Sequence, residues 1–379
     1  VSTYDAPPVQ PENPPVEPKD PPVEPENPPV EPKDPPVGPK DPPVAPLDPQ
    51  DSGSTASKTG TVSPETGAYL GTRQVAMSLF HHTLHDRQGQ APGGYDANGQ
   101  PVGDSNGWVR IVGSESSRDG AGGLELSDAR RLVHAGADVL RLNAGDGSVR
   151  IGAMGAYGNA TTWSEGVITG KDVSARGTVD GYGVGLYGTW YGNRDMLSGP
   201  YVDTWVTYGS FNNKVAGELA TESYRSSAWS ASLEGGYSVP IFDNGKTKMF
   251  VEPQAQVIYT KYRAGDHREA GNTLVSGMGA SDVTTRLGVR LHGKTASEGP
   301  GPDVRPFAEV NWWHGKGSQS MAFNADVLND ALPSNRLEGK VGLQGRITQN
   351  ISAYGHVGFE VGNQSYRALK AQVGVKYAW

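Results

Sequence analysis

Leu369-Lys370-Ala371-Gln372-Val373-Gly374-Val375-Lys376-Tyr377-Ala378-Trp379 closes the chain, and its alternation decides the fold. Successive side chains of a strand point to opposite faces. Leu369, Ala371, Val373, Val375, Tyr377 and Trp379 therefore share one face, and Lys370, Gln372, Gly374 and Lys376 the other. The same period runs back through the sequence. Ile351, Ala353, Val357, Phe359 and Val361 alternate with Ser352, Tyr354, His356 and Glu360, and Leu337, Val341, Leu343 and Ile347 with Glu338, Lys340, Gln344 and Arg346. Val283, Leu287, Val289 and Leu291 do so with Thr284, Arg286, Arg290 and His292, as do Val251, Ala255, Val257 and Tyr259 with Glu252, Gln254 and Gln256. Each strand meets an apolar medium on one side and a polar one on the other.

A soluble β-sandwich has this period too, and three further features separate it from a membrane barrel. Twelve runs are found, over 108–115, 129–142, 148–161, 176–192, 200–213, 223–239, 247–262, 282–293, 303–314, 335–348, 351–362 and 367–379. Many exceed the roughly five or six residues of ordinary strands and reach the roughly 9–11 that cross a bilayer at a tilt. Aromatics cluster near run ends (Trp108, Tyr157, Trp190, Tyr191, Tyr208, Tyr237, Tyr259, Trp312, Trp313, Tyr377, Trp379), as interfacial girdles require. Connections also alternate in length. Asn143–Gly147, Asn193–Gly199, Asp243–Lys246 and Gln349-Asn350 are short; Gly113–Asp128, Thr162–Ala175, Arg263–Ser281 and Gly315–Ser334 are longer. The fold expected is all-β, a twelve-stranded antiparallel transmembrane β-barrel over 107–379. Gly293–Asp303 is longer than its side requires, and Pro253, which lacks a ladder donor, predicts a bulge.

Ahead of the barrel, residues 63–106 hold a helix and a lead-in. Ser63-Pro64-Glu65 supplies a capping hydroxyl, a proline for the first helical position and a first-turn acid. The helix predicted over Glu65–Leu84 is about 30 Å long, a bilayer's hydrocarbon thickness. With Arg73, Gln74 and many small residues it is too polar for lipid and suits a polar lumen; a surface helix on a soluble domain is the alternative. Tyr69, Arg73, Gln74 and Met77 are its candidate lumenal contacts.

Composition divides the chain once more. Residues 1–50 hold 19 of the 29 prolines, in heptads from PPVQPEN to PPVAPLD. Proline forbids both helix and sheet ladder, which leaves an extended polyproline II spacer of roughly 130 Å or a solvated tail. Residues 51–62 read as a small-residue linker. Ten acids against three lysines give residues 1–50 a charge of −7, which leaves −1 of the total −8 for the rest. That balance argues against a nucleic-acid partner, and the absence of cysteine excludes disulfides and thiolate metal sites. The chain opens on Val1 without an export leader, so a longer precursor is expected.

The order of a Pro-rich segment, PETGAYLGTRQVAMSLFHHTLHDRQG and GWVRIVGS resembles the C-terminal translocator of AIDA-type autotransporters (type V secretion). So do VRIGAMGAYGNATT, GTVDGYGVGLYGTWYG, YVDTWVTYGSFNN, VEPQAQVIYT, TRLGVRL, RPFAEVNWWH and the terminal VGVKYAW; the similarity covers residues 64–379. The resemblance implies a barrel in the bacterial outer membrane, a helix threading its lumen and an exported passenger upstream. It also implies that Val373, Val375, Tyr377 and Trp379 form the signal read by the outer-membrane assembly machinery, after escort by periplasmic chaperones. A monomer surrounded by outer-membrane lipid is expected, with short turns and the C-terminus in the periplasm and the proline rod outside.

The polar face predicts a lumen lined by Arg110, Arg150, Asp203, Glu234, Glu252, Arg286, Arg290, Arg305, Glu309, Glu338, Lys340, Arg346, Glu360 and Lys370. Charges of both signs, paired or hydrated, are expected to grip a polar helix without apolar contact. No enzyme, cofactor or metal site is expected. Gly183-Val184-Gly185-Leu186-Tyr187-Gly188 matches a dinucleotide fingerprint but lies inside an alternating run. His81 and His85 have metal-ligand spacing without a third ligand nearby. Some translocators of this type cut an Asn-Asn bond in the helix; here Asn212-Asn213 lies at a strand end, so no intrabarrel cleavage is expected. A surface adhesin, or an outer-membrane pore, is the alternative to an export unit.

Overall fold

A computed structural model describes residues 62–89, 106–193, 198–218, 220–295, 304–348 and 350–379. The proline repeats, the linker over 51–61 and most of the Gly293–Asp303 connection lie outside those residues. Two helices come first, α1 (Pro64–Ser78) and α2 (Leu84–Gln88). Seven long strands follow: β1 (Asn106–Asp119), β2 (Glu125–Ala144), β3 (Gly147–Ile168), β4 (Lys171–Tyr191), β5 (Gly199–Ala216), β6 (Thr221–Asp243) and β7 (Thr247–Ala264). The short β8 (His267–Arg268) and β9 (Leu274–Ser276) precede β10 (Ala280–Thr295) and β11 (Arg305–His314). After the short hairpin β12 (Ser318–Phe323) and β13 (Asp326–Ala331) come β14 (Asn335–Arg346), β15 (Ile351–Gly362) and β16 (Arg367–Ala378).

Twelve antiparallel strands close into a barrel in the order β1-β16-β15-β14-β11-β10-β7-β6-β5-β4-β3-β2. The seam pairs Asn106 with Ala378 and Val109 with Val375. Closure leaves no strand edge without a partner, which a sheet immersed in hydrocarbon requires. The outward face is apolar: Ile111, Val184, Leu287, Val341, Val373 and Tyr377 are at least half exposed, while the alternate residues are buried inside. No helix among the described residues is long and apolar enough to cross a membrane.

Several local expectations need correction. Gly113–Asp128 and Thr162–Ala175 are not loops, because β1 runs on to Asp119, and β3 and β4 pair as far as Ile168 with Lys171. The apolar alternation read from the sequence stops before the strands do, and the backbone ladder continues beyond it. The other two long connections fold into a separate sheet in the order β13-β12-β9-β8. Pro253 causes no register shift. The β6–β7 ladder passes from Gly236 opposite Gln254 to Val239 opposite Val251 in unchanged register, and the shifts fall at Pro240/Phe242 and Asp138/Leu140. Trp108, Tyr191 and Trp313 are not girdle residues, since their positions in the alternation turn them inward. Trp108 Nε1 donates to Tyr187 Oη at 3.3 Å, and Trp313 Nε1 to Glu338 at 2.8 Å.

The helix also differs from expectation. It ends at Ser78 and not at Leu84, and α2 starts afresh after a break. Ser63 is extended, as an N-cap should be, but its hydroxyl donates to the Glu65 carboxylate and caps no backbone amide. The break is fixed by Thr83. Its hydroxyl accepts from Asp86 N at 3.1 Å while the Asp86 carboxylate accepts from Thr83 N at 3.4 Å, a capping box that starts a new helix. Gly89, at φ +59°, ends α2.

Candidate functional site

The residues from Pro64 to Gly89 run through the lumen. Gly67 lies against Leu124, Leu126 and Ser164 at the long-loop end, whereas Gly89 lies against Tyr354 and Gln344 nearer the short turns. Small residues permit the approach. A methyl group on Gly71 would collide with Thr162, and one on the facing wall residue Gly177 with Thr72.

α1 is held mainly by apolar contact, contrary to the expectation that charges alone would grip it. Val75, Ala76, Leu79 and Phe80 form a buried cluster with Leu132, Ala160, Val179, Phe211, Ala228 and Tyr262 of the wall. Phe80 and Phe211 stack at 5.5 Å. Burying such side chains stabilises by about 1.5–3 kcal/mol each, so the upper lumen docks the helix as a protein core would. Nearer the long loops, Ala68, Tyr69 and Leu70 pack with Val275, Met278 and Met321 of the small sheet and its approach.

The candidate helix contacts divide accordingly. Arg73 is buried and donates to Gln319 Oε1 at 3.1 Å and to the Ser320 carbonyl at 2.9 Å, both on β12. Tyr69 Oη donates to Glu269 Oε1 at 3.0 Å. Both therefore engage the long-loop sheet, away from the charged wall. Gln74 and Met77 are half-buried beside a lumenal cavity that Ser114, Ser116 and Arg130 also line.

At the break the freed backbone groups find wall donors. The His82 carbonyl accepts from Trp205 Nε1 at 3.2 Å and from Gln256 Nε2 at 3.0 Å, and the His82 ring stacks on Trp205 at 4.6 Å. Backbone polar groups exposed by a helix break must be satisfied when buried.

α2 is held by charge. Leu84 N donates to Glu234 on β6 at 3.0 Å. His85 Nε2 lies 2.6 Å from Glu252 on β7. The Asp86 carboxylate faces Lys340 on β14 at 3.3 Å, Lys370 on β16 at 3.4 Å and His356 on β15 at 3.6 Å. Arg87 donates to Asp203 on β5 at 2.6 Å and to Thr189 on β4 at 3.0 Å. In the ring of twelve, β15 stands six strands from β5. Neighbouring residues of opposite charge thus reach opposite walls, and α2 is a crossbar.

Every wall charge expected from the sequence lies on the lumenal side. Arg110, Arg150, Asp203, Glu234, Glu252, Arg286, Arg290, Arg305, Glu309, Glu338, Lys340 and Arg346 are buried; Glu360 and Lys370 are partly so. Several pair with one another or with further charges of the wall. Arg286 meets Glu234 at 3.0 Å, Arg290 meets Glu309 at 2.9 Å, Arg150 meets Asp138 at 3.5 Å, and Glu360 meets Arg336 at 3.1 Å. Only part of the ladder touches the plug. Asp86 and Arg87 lay beyond the expected helix end and were missed, although Thr83-x-x-Asp86 is a visible capping-box signal. His81 and His85 do not converge: His81 hydrogen-bonds with Thr260 and His85 with Glu252. The Gly183–Gly188 motif is a wall segment, with Gly183 close to Phe80.

A plugged barrel of this geometry can be compared with known proteins. The model of the autotransporter beta-domain family matches residues 107–358. The chain belongs to that family. YuaQ of Escherichia coli strain K12 is 32% identical over 323 residues, covering 82% of this chain and 23% of that protein. The autotransporter adhesin AIDA-I of Escherichia coli is 32% identical over 324 residues, covering 83% of this chain and 25% of that protein. The chain thus spans about a quarter of the length of these two relatives. The crystal structure of the transport unit of AIDA-I superposes with a TM-score of 0.74 at 29% identity, covering 84% of this chain and all of that one. The barrel is accordingly an autotransporter translocator and anchor unit of the outer membrane, and its family is one of transporters rather than enzymes.

Proposed function

We propose that this chain exports and displays an N-terminal passenger by passing it once through the barrel and pinning that passage at Leu84–Gln88. The observation that carries the reading is the crossbar, in which Arg87 on Asp203 and Asp86 on Lys340 tie one short helix to opposite walls. In this reading the long-loop end faces the exterior, since α1 enters there, and the short turns and C-terminus face the periplasm. Residues 1–50 then stand outside the cell as a spacer joined through the linker at 51–62, and lift the passenger above the surface. Val373, Val375, Tyr377 and Trp379, all at least 43% exposed on the lipid side, serve as the signal for the assembly machinery. Periplasmic chaperones deliver the unfolded chain, and the assembled unit works as a monomer in outer-membrane lipid. The adhesin name of one relative favours an adhesive passenger. No bond is cut within the lumen, because the threaded segment contains no asparagine.

Protease treatment of intact cells tests the topology. An epitope at Pro21 should be lost within minutes, while one at Asn350 survives until the outer membrane is permeabilised. The reverse pattern would refute the orientation and, with it, the display of the passenger.

A further inference from the structure

The outer wall carries a charge asymmetry that closing the lumen does not use. Tyr157, Tyr182, Tyr208, Trp229 and Tyr259 point outward on five consecutive strands, β3 to β7. Register places Tyr157 opposite Tyr182 and Tyr208 opposite Trp229, with ring centroids 5.0 and 4.9 Å apart. Such a belt marks the level of the membrane–water interface. Beyond it, towards the long-loop end, lie Arg176 on β4, Lys214 on β5, Arg225 on β6, and Lys261 and Arg263 on β7. Each is exposed, and each belongs to the outward set of the alternation. They sit two to six residues past the aromatic on their own strand. At about 3.3 Å per residue and a tilt of about 40° this is roughly 5–15 Å above the belt, where lipid headgroups lie.

Two observations make this more than a scatter of surface charges. None of the five is held in an ion pair or a hydrogen bond among the described residues, whereas three acids nearby are engaged and Asp172 stands on β4, outside the run of bases on β5–β7. Glu218 lies 3.8 Å from Lys171, Glu222 accepts from Ala270 N at 2.8 Å, and Asp180 accepts from Tyr157 Oη at 3.4 Å. The adjoining strands β1 to β3 instead turn Glu115, Glu125 and Glu165 outward, with Arg131 the one base among them. Towards the long-loop end the outward charges of β5–β7 are thus all basic and continuous with the lipid-facing wall, whereas β4 sets Asp172 and Asp180 around Arg176 and β16 carries a separate Arg367. Guanidinium and ammonium groups at headgroup level are receptors for phosphate.

We propose that the outward face of β5–β7 binds the phosphate groups of an anionic glycolipid in the outer leaflet, with Lys214, Arg225 and Arg263 at its centre. The ligand's acyl chains lie along Val184, Val206, Leu233 and Val257, all outward and exposed below the belt. The site rests on the orientation proposed above, which places the long-loop end at the outer leaflet.

The test uses the full chain reconstituted in vesicles of zwitterionic phospholipid, doped with either bisphosphorylated lipid A or its phosphate-free form. Glycolipid retained after detergent extraction is counted by native mass spectrometry. The phosphorylated form should be retained about tenfold more than the phosphate-free one. The pair R225E/R263E should lose about that factor, because each base near an anionic surface strengthens attachment several-fold. Reversal at Glu115→Lys and Glu165→Lys should not lower it. Heat-modifiable migration of every variant on gels shows that the barrels have folded. Equal retention of the two glycolipids, or full retention by R225E/R263E, would overturn the proposal. Thiol labelling of Thr169→Cys, at the β3–β4 turn, separates the two readings. A residue unlabelled from outside intact cells overturns the outer-leaflet assignment along with the orientation. Labelling combined with no phosphate effect overturns the lipid site alone.

Discussion

α1 and α2 follow one another through a single lumen, yet opposite forces hold them. α1 buries Val75 and Ala76, and the segment that follows it Leu79 and Phe80, against the β1–β7 side of the lumen, with small residues such as Gly71 and Gly177 allowing close approach. α2 buries almost nothing apolar beyond Leu84 and instead directs Glu234, Glu252, Lys340 and Asp203 onto four consecutive residues. Apolar contact is non-directional and roughly proportional to area, so α1 is placed by the fit of its side chains and by the hydrogen bonds of Tyr69 and Arg73 to the long-loop sheet rather than by paired charges. Buried ion pairs are directional, and losing one partner leaves a stranded charge. An apolar bearing above a keyed lock fixes the threaded segment at one register.

The comparison is broken most severely at Arg87. Arg87→Ala leaves Asp203 buried without its cation, and should destabilise the plugged state by about 3–5 kcal/mol in urea unfolding of micellar protein. Asp203→Ala in the same chain should recover much of that loss, since the stranded charge disappears. On the apolar side, Leu79→Ala should cost about 2–4 kcal/mol by the same measurement while leaving the α2 ion pairs intact. Asp86→Asn should cost less, about 1–2 kcal/mol. Lys340 keeps Glu309 at 3.5 Å and Glu338 at 3.6 Å, so it is not stranded. Thr83→Ala removes only the cap, costs about 1 kcal/mol, and should speed hydrogen exchange at the Asp86 amide without affecting α1. If Leu79→Ala and Thr83→Ala disturbed both helices equally, the division into bearing and lock would be wrong.

The barrel was legible because lipid enforces period two on every strand it touches, so Val373, Val375 and Tyr377 announce their face without any neighbour. Lumenal positions followed from parity, which is why the wall charges from Arg110 to Lys370 fall inside. Parity says nothing about partners. The Arg87–Asp203 pair joins residues 116 positions apart, and no local pattern links them. The break after Ser78 was hidden because Leu79-Phe80 continues the apolar stripe, and only the Thr83–Asp86 box marks the restart. The small sheet of β8, β9, β12 and β13 escaped notice because strands of two to six residues, outside lipid, carry too short an alternation to stand out. Trp108 and Trp313 misled for a related reason: an aromatic near a strand end looks the same whether it faces headgroups or a lumen.

Single-channel recording in planar bilayers tests most directly whether the threaded segment closes the barrel. The intact chain should show only small, infrequent openings, and deletion of residues 64–88 should convert it to a steady conductance several-fold larger, with R87A/D86A flickering between the two levels. Equal conductance with and without residues 64–88 would contradict the account.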